Sequence, residues 1–182
     1  MRDLTFDELK VCFPKLRPDN HIPRSHSTAR YNCVAFVNGD KRHWWQPGQH
    51  GGRFRWPADI KQHDTLAAWT ELFLKDGYVV TDNQTVESGY EKIAIYVDPE
   101  TALPSHVAKS DGVTWMSKLG KGQDIEHSSL DILSGASQDE YGTVTVVLKR
   151  KRRAVAISAV ARIMKTPASP RVHKRRSKGR RP

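Results

Sequence analysis

The residue whose type and position most suggest chemistry is Cys33. It follows Asn32 at what reads as the start of a short apolar helix, Cys33-Val34-Ala35-Phe36-Val37, closed by Asn38-Gly39. At a helix start, unpaired backbone N–H groups and the helix dipole favour a thiolate. A sulfur nucleophile also needs a base or an imidazolium, which need not be near in sequence. Of eight His, His106 has the suggestive address, opening a strand-like segment after Pro104-Ser105. Ser110-Asp111-Gly112-Val113 reads as a hairpin with a two-residue turn. If Ser110 faces Val113, His106 faces Ser117 with both side chains on one face. The trio Cys33, His106 and Ser117 would then perform acyl transfer: sulfur attacks a carbonyl, His106 exchanges the proton, and Ser117 orients the ring. Asp124, Glu126 or His127 would replace Ser117 if the following loop folds back. The competing reading is structural, with Cys33 as a small core residue, His106 as a satisfied histidine and Ser117 as a sheet hydroxyl.

These residues need elements to position them. Thr5 and Glu8 have capping-box spacing at the head of a first helix that must end before Pro14. Residues 14–30, with Pro14, Pro18 and Pro23, predict an irregular lead-in. Asn32 suits the N-cap of the Cys33 helix and Gly39 its exit. Asp40 to Pro57 reads as a long packed loop. Asp64 or Thr65 caps a further helix with the stripe Leu66, Trp69, Leu72, Phe73, which Gly77 stops. Beyond Gly77, Tyr78–Val80, Lys92–Val97, Ser105–Lys109, Val113–Ser117 and Thr143–Leu148 are β-branched or alternating, and Ile125–Leu133 reads as one more short helix. The expected fold class is α+β: N-terminal helices packed on a mostly antiparallel sheet.

The order Cys on a helix, His on a strand, polar residue on the next strand resembles papain-like cysteine peptidases. The bacterial cell-wall members, with Asn- or Asp-Cys and His-Val pairs, look closest to Asn32-Cys33 and His106-Val107. The combination of Tyr31-Asn32-Cys33-Val34-Ala35, Trp44-Trp45, Pro47, Gly89-Tyr90-Glu91-Lys92-Ile93-Ala94, His106-Val107-Ala108 and Trp115-Met116-Ser117-Lys118-Leu119-Gly120 is similar to a family of uncharacterised, mainly bacterial domains, over roughly residues 30–148. That resemblance implies a shared fold and no particular activity. The papain-like one implies hydrolysis or transfer at an amide, in a peptide or a Gln or Asn side chain. Two departures stand out. Ser117 replaces the usual Asn, Asp, Gln or His, and no Gln precedes Cys33 to complete an oxyanion hole. The Cys33 N–H, with Tyr31, Asn32 or His26, would have to position the substrate oxygen. Trp44, Trp45 and Trp56, interleaved with Arg42, Arg53 and Arg55, would form a cleft wall or simply fill the core.

Charge divides the chain. Of 30 Lys and Arg, 14 fall in residues 149–182, which hold no acidic residue; the other 16 face all 20 acidic residues in 1–148. The body is therefore mildly acidic and the tail strongly basic, although the whole carries +10. All five Trp, Tyr and Phe lie in the body, so residues 1–148 are expected to hold one core and 149–182 a largely disordered tail with a short helix over 154–165. Lys149, Arg150, Lys151, Arg152, Arg153, Lys174, Arg175 and Arg176 are its candidate polyanion-binding residues. From them comes an alternative function: a non-catalytic module that holds nucleic acid through the tail and the aromatic loop. No His-Glu-x-x-His, Cys-x-x-Cys or Walker spacing is present, so no metal and no cofactor is expected. Two Cys give no disulfide framework, the N-terminus is not signal-like, and no apolar run spans a bilayer. A soluble, cytoplasmic protein is expected.

Overall fold

In a computed structural model, the described residues are 1–137 and 139–152, which belong to one compact unit. In chain order the elements are α1 (Phe6–Cys12), β1 (His21–Pro23), α2 (Cys33–Val37), β2 (Trp44–Trp45), β3 (Phe54–Arg55), α3 (Leu66–Lys75), β4 (Val79–Val80), β5 (Tyr90–Val97), β6 (Pro104–Ser110), β7 (Trp115–Lys118), β8 (Asp124–His127), a 3-10 turn (Leu130–Leu133) and β9 (Thr143–Lys151). Seven strands form one sheet in the order β1-β8-β7-β6-β5-β9-β4, every pairing antiparallel. A separate parallel pair, β2 with β3, stiffens the tryptophan loop.

The α helices among the described residues have 7, 5 and 10 residues, so this unit is richer in β structure than the expected α+β class. The largest correction concerns Ile125–Leu133, expected to be helical. Ile125 and His127, two apart, are both sealed on one face of the sheet and pair with β7, a period of two that only a strand can satisfy. Coiling is confined to the 3-10 turn that follows. The caps form as their residue types dictate. Thr5 and Glu8 complete the capping box, Asn32 Oδ1 accepts from the Ala35 N–H, and Thr65 Oγ1 accepts from the Ala68 N–H.

One sheet face receives α2 and α3. There Val34, Trp69 and Phe73 pack on Ile93, Ile95, Val107 and Leu148. The opposite face receives α1 and the 3-10 turn, with Leu9, Phe13 and Leu133 against Tyr96, Ala108, Trp115 and Ile125. Alternation along β6 therefore sends Val107 towards the α2 side and His106 and Ala108 to the other. The β6–β7 register is Ala108↔Ser117 and Ser110↔Trp115, so the loop has four residues rather than two. Asp111 Oδ1 accepts from the Val113 and Thr114 N–H groups, an Asx-type turn that adds the two residues. A shift of two keeps parity, so Ser117 still shares a face with His106.

Strand β9 runs on to Lys151, past the boundary expected at 148. Lys149, Arg150 and Lys151 lie opposite Lys92, Glu91 and Tyr90. The helix expected over 154–165, with Arg153, Lys174, Arg175 and Arg176, lies outside the described residues. Gly142, at the entry to β9, has φ +76°, and a Cβ there would sit 2.1 Å from the Val97 carbonyl oxygen. Both facts require glycine. Gly142→Ala is expected to cost about 2 kcal/mol or more, read as a lower urea midpoint. An unchanged midpoint would show that the chain accommodates a side chain at this crossing.

Candidate active site

Three adjacent strands carry one hydrogen-bonded chain of buried polar groups. His106 on β6 contacts Ser117 on β7 through Nε2 at 3.0 Å, and Ser117 Oγ contacts His127 Nε2 on β8 at 2.9 Å. His127 Nδ1 lies 2.8 Å from the Ser129 carbonyl oxygen. His106, Ser117 and His127 are all almost fully buried. The carbonyl fixes the proton order. It can only accept, so His127 Nδ1 carries the hydrogen and its Nε2 is bare. Ser117 must then donate to His127 Nε2, which leaves its oxygen to accept from His106 Nε2–H. It follows that the neutral His106 ring presents a bare Nδ1.

That Nδ1 makes no hydrogen bond among the described residues, and His106 lines a cavity of about 190 Å³ at the start of β6 together with Cys33. The ring is held on both sides. Tyr141 stacks on it at 3.9 Å and 6°, and Tyr96 meets it edge-on at 5.4 Å. Ser105 Oγ donates to the Tyr141 carbonyl at 2.6 Å, which ties the stacking residue to the strand.

Cys33 heads α2 as expected, but its sulfur is buried and makes no hydrogen bond to His106. Burial pushes the thiol up to about 11; the Val107 and Val34 amides and the Lys118 ammonium oppose this without cancelling it. Desolvation thus outweighs the helix start that favours a thiolate. Burial also holds His106 well below the ordinary histidine value, with His127 adding to the effect, and lowers His127 to about 4. The resting pair is a neutral thiol and a neutral imidazole.

The other predicted residues divide. Asn32 lines the cavity, but its amide is occupied: Oδ1 accepts from the Ala35 and Trp45 N–H groups and Nδ2 donates to the Trp45 carbonyl. Tyr31 donates its hydroxyl to Asp124 at 2.8 Å, which removes both from the roles expected of them. His26 is a surface residue beside Asp3, remote from any oxyanion role. Glu126 pairs with Arg24 at 2.7 Å, so of the alternative orienters His127 alone reaches the relay. Trp44 lines the cavity, whereas Trp45 and Trp56 line a different hollow of about 420 Å³ with His50 and Arg55. Gln46, Asp64, Trp69, Gly120 and Tyr141 also line the Cys33 cavity and carry no local sequence signal that marks them. No group of three His, Cys, Asp or Glu among the described residues is placed to hold a metal. No helix among them is long and apolar enough to cross a membrane.

Among the basic residues, Lys149 bonds to Glu87, and Arg150 reaches Glu91 at 2.7 Å and Asp76 at 2.5 Å. These two side chains are engaged by carboxylates within the body, a correction to their place in a free cationic tail.

The fold and site define a β-rich domain in which a cysteine and an oriented histidine share one cavity. The chain belongs to the family described as Domain of unknown function (DUF7689), whose model matches residues 23–149 and so spans every residue of the relay and the cavity. No curated protein and no solved structure matches it.

The relay makes stability depend on pH. With folded values below the ordinary histidine value of about 6.5, the unfolded chain binds protons that the folded chain refuses, so stability falls as pH drops from about 6.5 towards 4. His127 alone contributes a loss on the order of 3 kcal/mol across that window. His127→Asn, which cannot titrate, should flatten the pH dependence of the urea midpoint by about one proton's slope. An unaltered slope would show that His127 is not the titrating group.

Proposed function

We propose that the protein is a cysteine-dependent hydrolase or acyltransferase of papain-like organisation that acts on an amide. The observation that carries this reading is the tautomer order set by the Ser129 carbonyl. It leaves Nδ1 as the bare nitrogen of His106, a residue that lines the same cavity as Cys33.

The step is general-base attack from a neutral pair. His106 Nδ1 takes the thiol proton as the Cys33 sulfur bonds to the carbonyl carbon. The tetrahedral oxyanion collapses, the C–N bond breaks, and the departing amine takes that proton from Nδ1. Water, or another nucleophile, then gives a proton to Nδ1 and attacks the thioester, and the sulfur leaves and is reprotonated. Ser117 and His127 hold the ring tautomer, and Tyr141 holds its plane. The Cys33 backbone N–H, at the first helical position with no intrahelical partner, supplies one oxyanion donor. With the thiol raised and the imidazole lowered, this proton transfer is uphill at rest, so it has to be coupled to C–S bond formation.

Iodoacetamide labelling at pH 7 with peptide mapping tests this, with Cys12 as the internal reference. Cys33, buried and held as a thiol, should label more slowly than the more exposed Cys12, but with help from His106. His106→Ala should slow its labelling by ~100-fold, within the usual range for general-base catalysis, while Ser117→Ala and His127→Asn should slow it by about a tenth of that. Labelling of Cys33 that is indifferent to His106→Ala would mean that Cys33 is a core thiol.

A further inference from the structure

The wall of the Cys33 cavity contains a carboxylate that the acyl-transfer chemistry does not use. Asp64 precedes Thr65, the N-cap of α3, and projects into the lining beside Gln46 and Trp69. Its two oxygens are each anchored: Oδ1 accepts from the Trp69 indole N–H at 2.7 Å, and Oδ2 from the Gln46 amide at 2.5 Å. Both donors are neutral, and no Lys, Arg or His among the described residues lies within ion-pair distance of it. With His106 neutral, Asp64 is the one formally charged side chain in the lining. A fixed, half-buried and uncompensated negative charge has a definite complement, a cation with hydrogens to donate to the remaining lone pairs. The Trp69 indole lines the same space, as does Trp44, whose ring already carries the Arg53 guanidinium at 5.4 Å, so the aromatic part of the wall is of a kind that accepts cations.

Size narrows the class. The cavity of about 190 Å³ is below the roughly 300–1,000 Å³ of pockets that enclose drug-sized ligands. It accommodates one end of a substrate rather than the middle of a chain.

We infer that Asp64 selects substrates bearing a primary ammonium group close to the scissile amide, as in an aminoacyl terminus with a free α-amine. The ammonium binds Asp64 while the neighbouring carbonyl faces Cys33. This rests on the cysteine-hydrolase reading above and adds the substrate class to it. The rest of the wall, being uncharged, offers an anionic substrate no counter-ion.

The test uses the full-length protein and two probes, alanine chloromethyl ketone with a free amine and its N-acetyl analogue. In each, the Cys33 sulfur displaces chloride, its proton passes to His106 Nδ1, and mass spectrometry counts the alkylated Cys33 peptide. The free-amine probe is expected to label Cys33 ~10-fold faster, the increment of one charge-assisted contact. That preference should fade as pH rises through the amine's pKa of about 8. Asp64→Asn, whose side-chain oxygen can still accept from Trp69, should bring the two rates together. A thermal melt reports whether this variant is folded, and the two-probe comparison on the unmodified protein needs no variant. Equal rates on the unmodified protein, or a preference that survives Asp64→Asn, would overturn the inference and leave the thiol chemistry standing. No labelling of Cys33 by either probe, or labelling indifferent to His106→Ala, would overturn both.

Discussion

The Ser129 carbonyl is a small feature on which the rest of the site depends. It cannot donate, so it commits His127 to a proton on Nδ1, which commits Ser117 to donate one way and accept the other, which commits His106 to a proton on Nε2. The chain is unbranched, and every donor and acceptor within it is paired; only His106 Nδ1, at its end, has no partner among the described residues. An incomplete version would cost more than an apolar replacement, because each unpaired group would have lost its water. The surrounding sheet supplies the geometry. Ala108 stands opposite Ser117 and leaves room, Trp115 stands opposite His127, and three adjacent strands hold the donors and acceptors at fixed spacing.

Burial has opposite consequences for the two ends of the site. For the imidazoles it enforces neutrality, which the relay requires, since a second proton on His127 would leave Ser117 facing two donors. For Cys33 it also enforces neutrality, and so removes the thiolate that a helix start would otherwise favour. A helix of five residues, with its sulfur among Trp56, Trp69 and Val107, gains little from its dipole and loses much to desolvation. Cys33 belongs to the α2 side of the sheet and His106, by alternation, to the α1 side. They share a cavity because it opens at the start of β6, where the β5–β6 register shifts between Tyr96 and Val97 and Ser105 is unpaired.

Much of the site was legible because it is local or depends on parity. The Asn32 cap is a short-range signal, and the Ser117 face survives an error of two in hairpin register. His127 was harder, since Ile125–His127 reads as the start of a helix until its pairing with β7 imposes a period of two. Tyr141 and Asp64 were not legible at all. Each reaches the cavity from a segment far along the chain, and neither contact leaves a spacing pattern. Tyr31 and His26 failed for a physical reason: each was already bonded elsewhere, to Asp124 and to Asp3. The charge division was legible as composition, but its edge was not, because Lys149 and Arg150 sit in a strand whose neighbours supply the carboxylates.

Those carboxylates bear on how net charge should be read. Arg150, the most engaged of the β9 cations, bonds to Glu91 and Asp76 and lies 4.4 Å over the Tyr78 ring. It therefore adds to the formal charge of the chain while fastening β9 to the segment after α3. Lys92 is similar: it is sealed from solvent, donates to the Asn83 and Thr85 carbonyls, and pairs with Glu87. A formal +10 says nothing about the potential inside the Cys33 cavity, where the described lining carries one charge, and that charge is negative. Local fields of this kind act over distances shorter than the ~10 Å at which salt screens exposed charges. The formal charge that faces Cys33 within the described unit is thus that of Asp64, whatever the net charge of the chain.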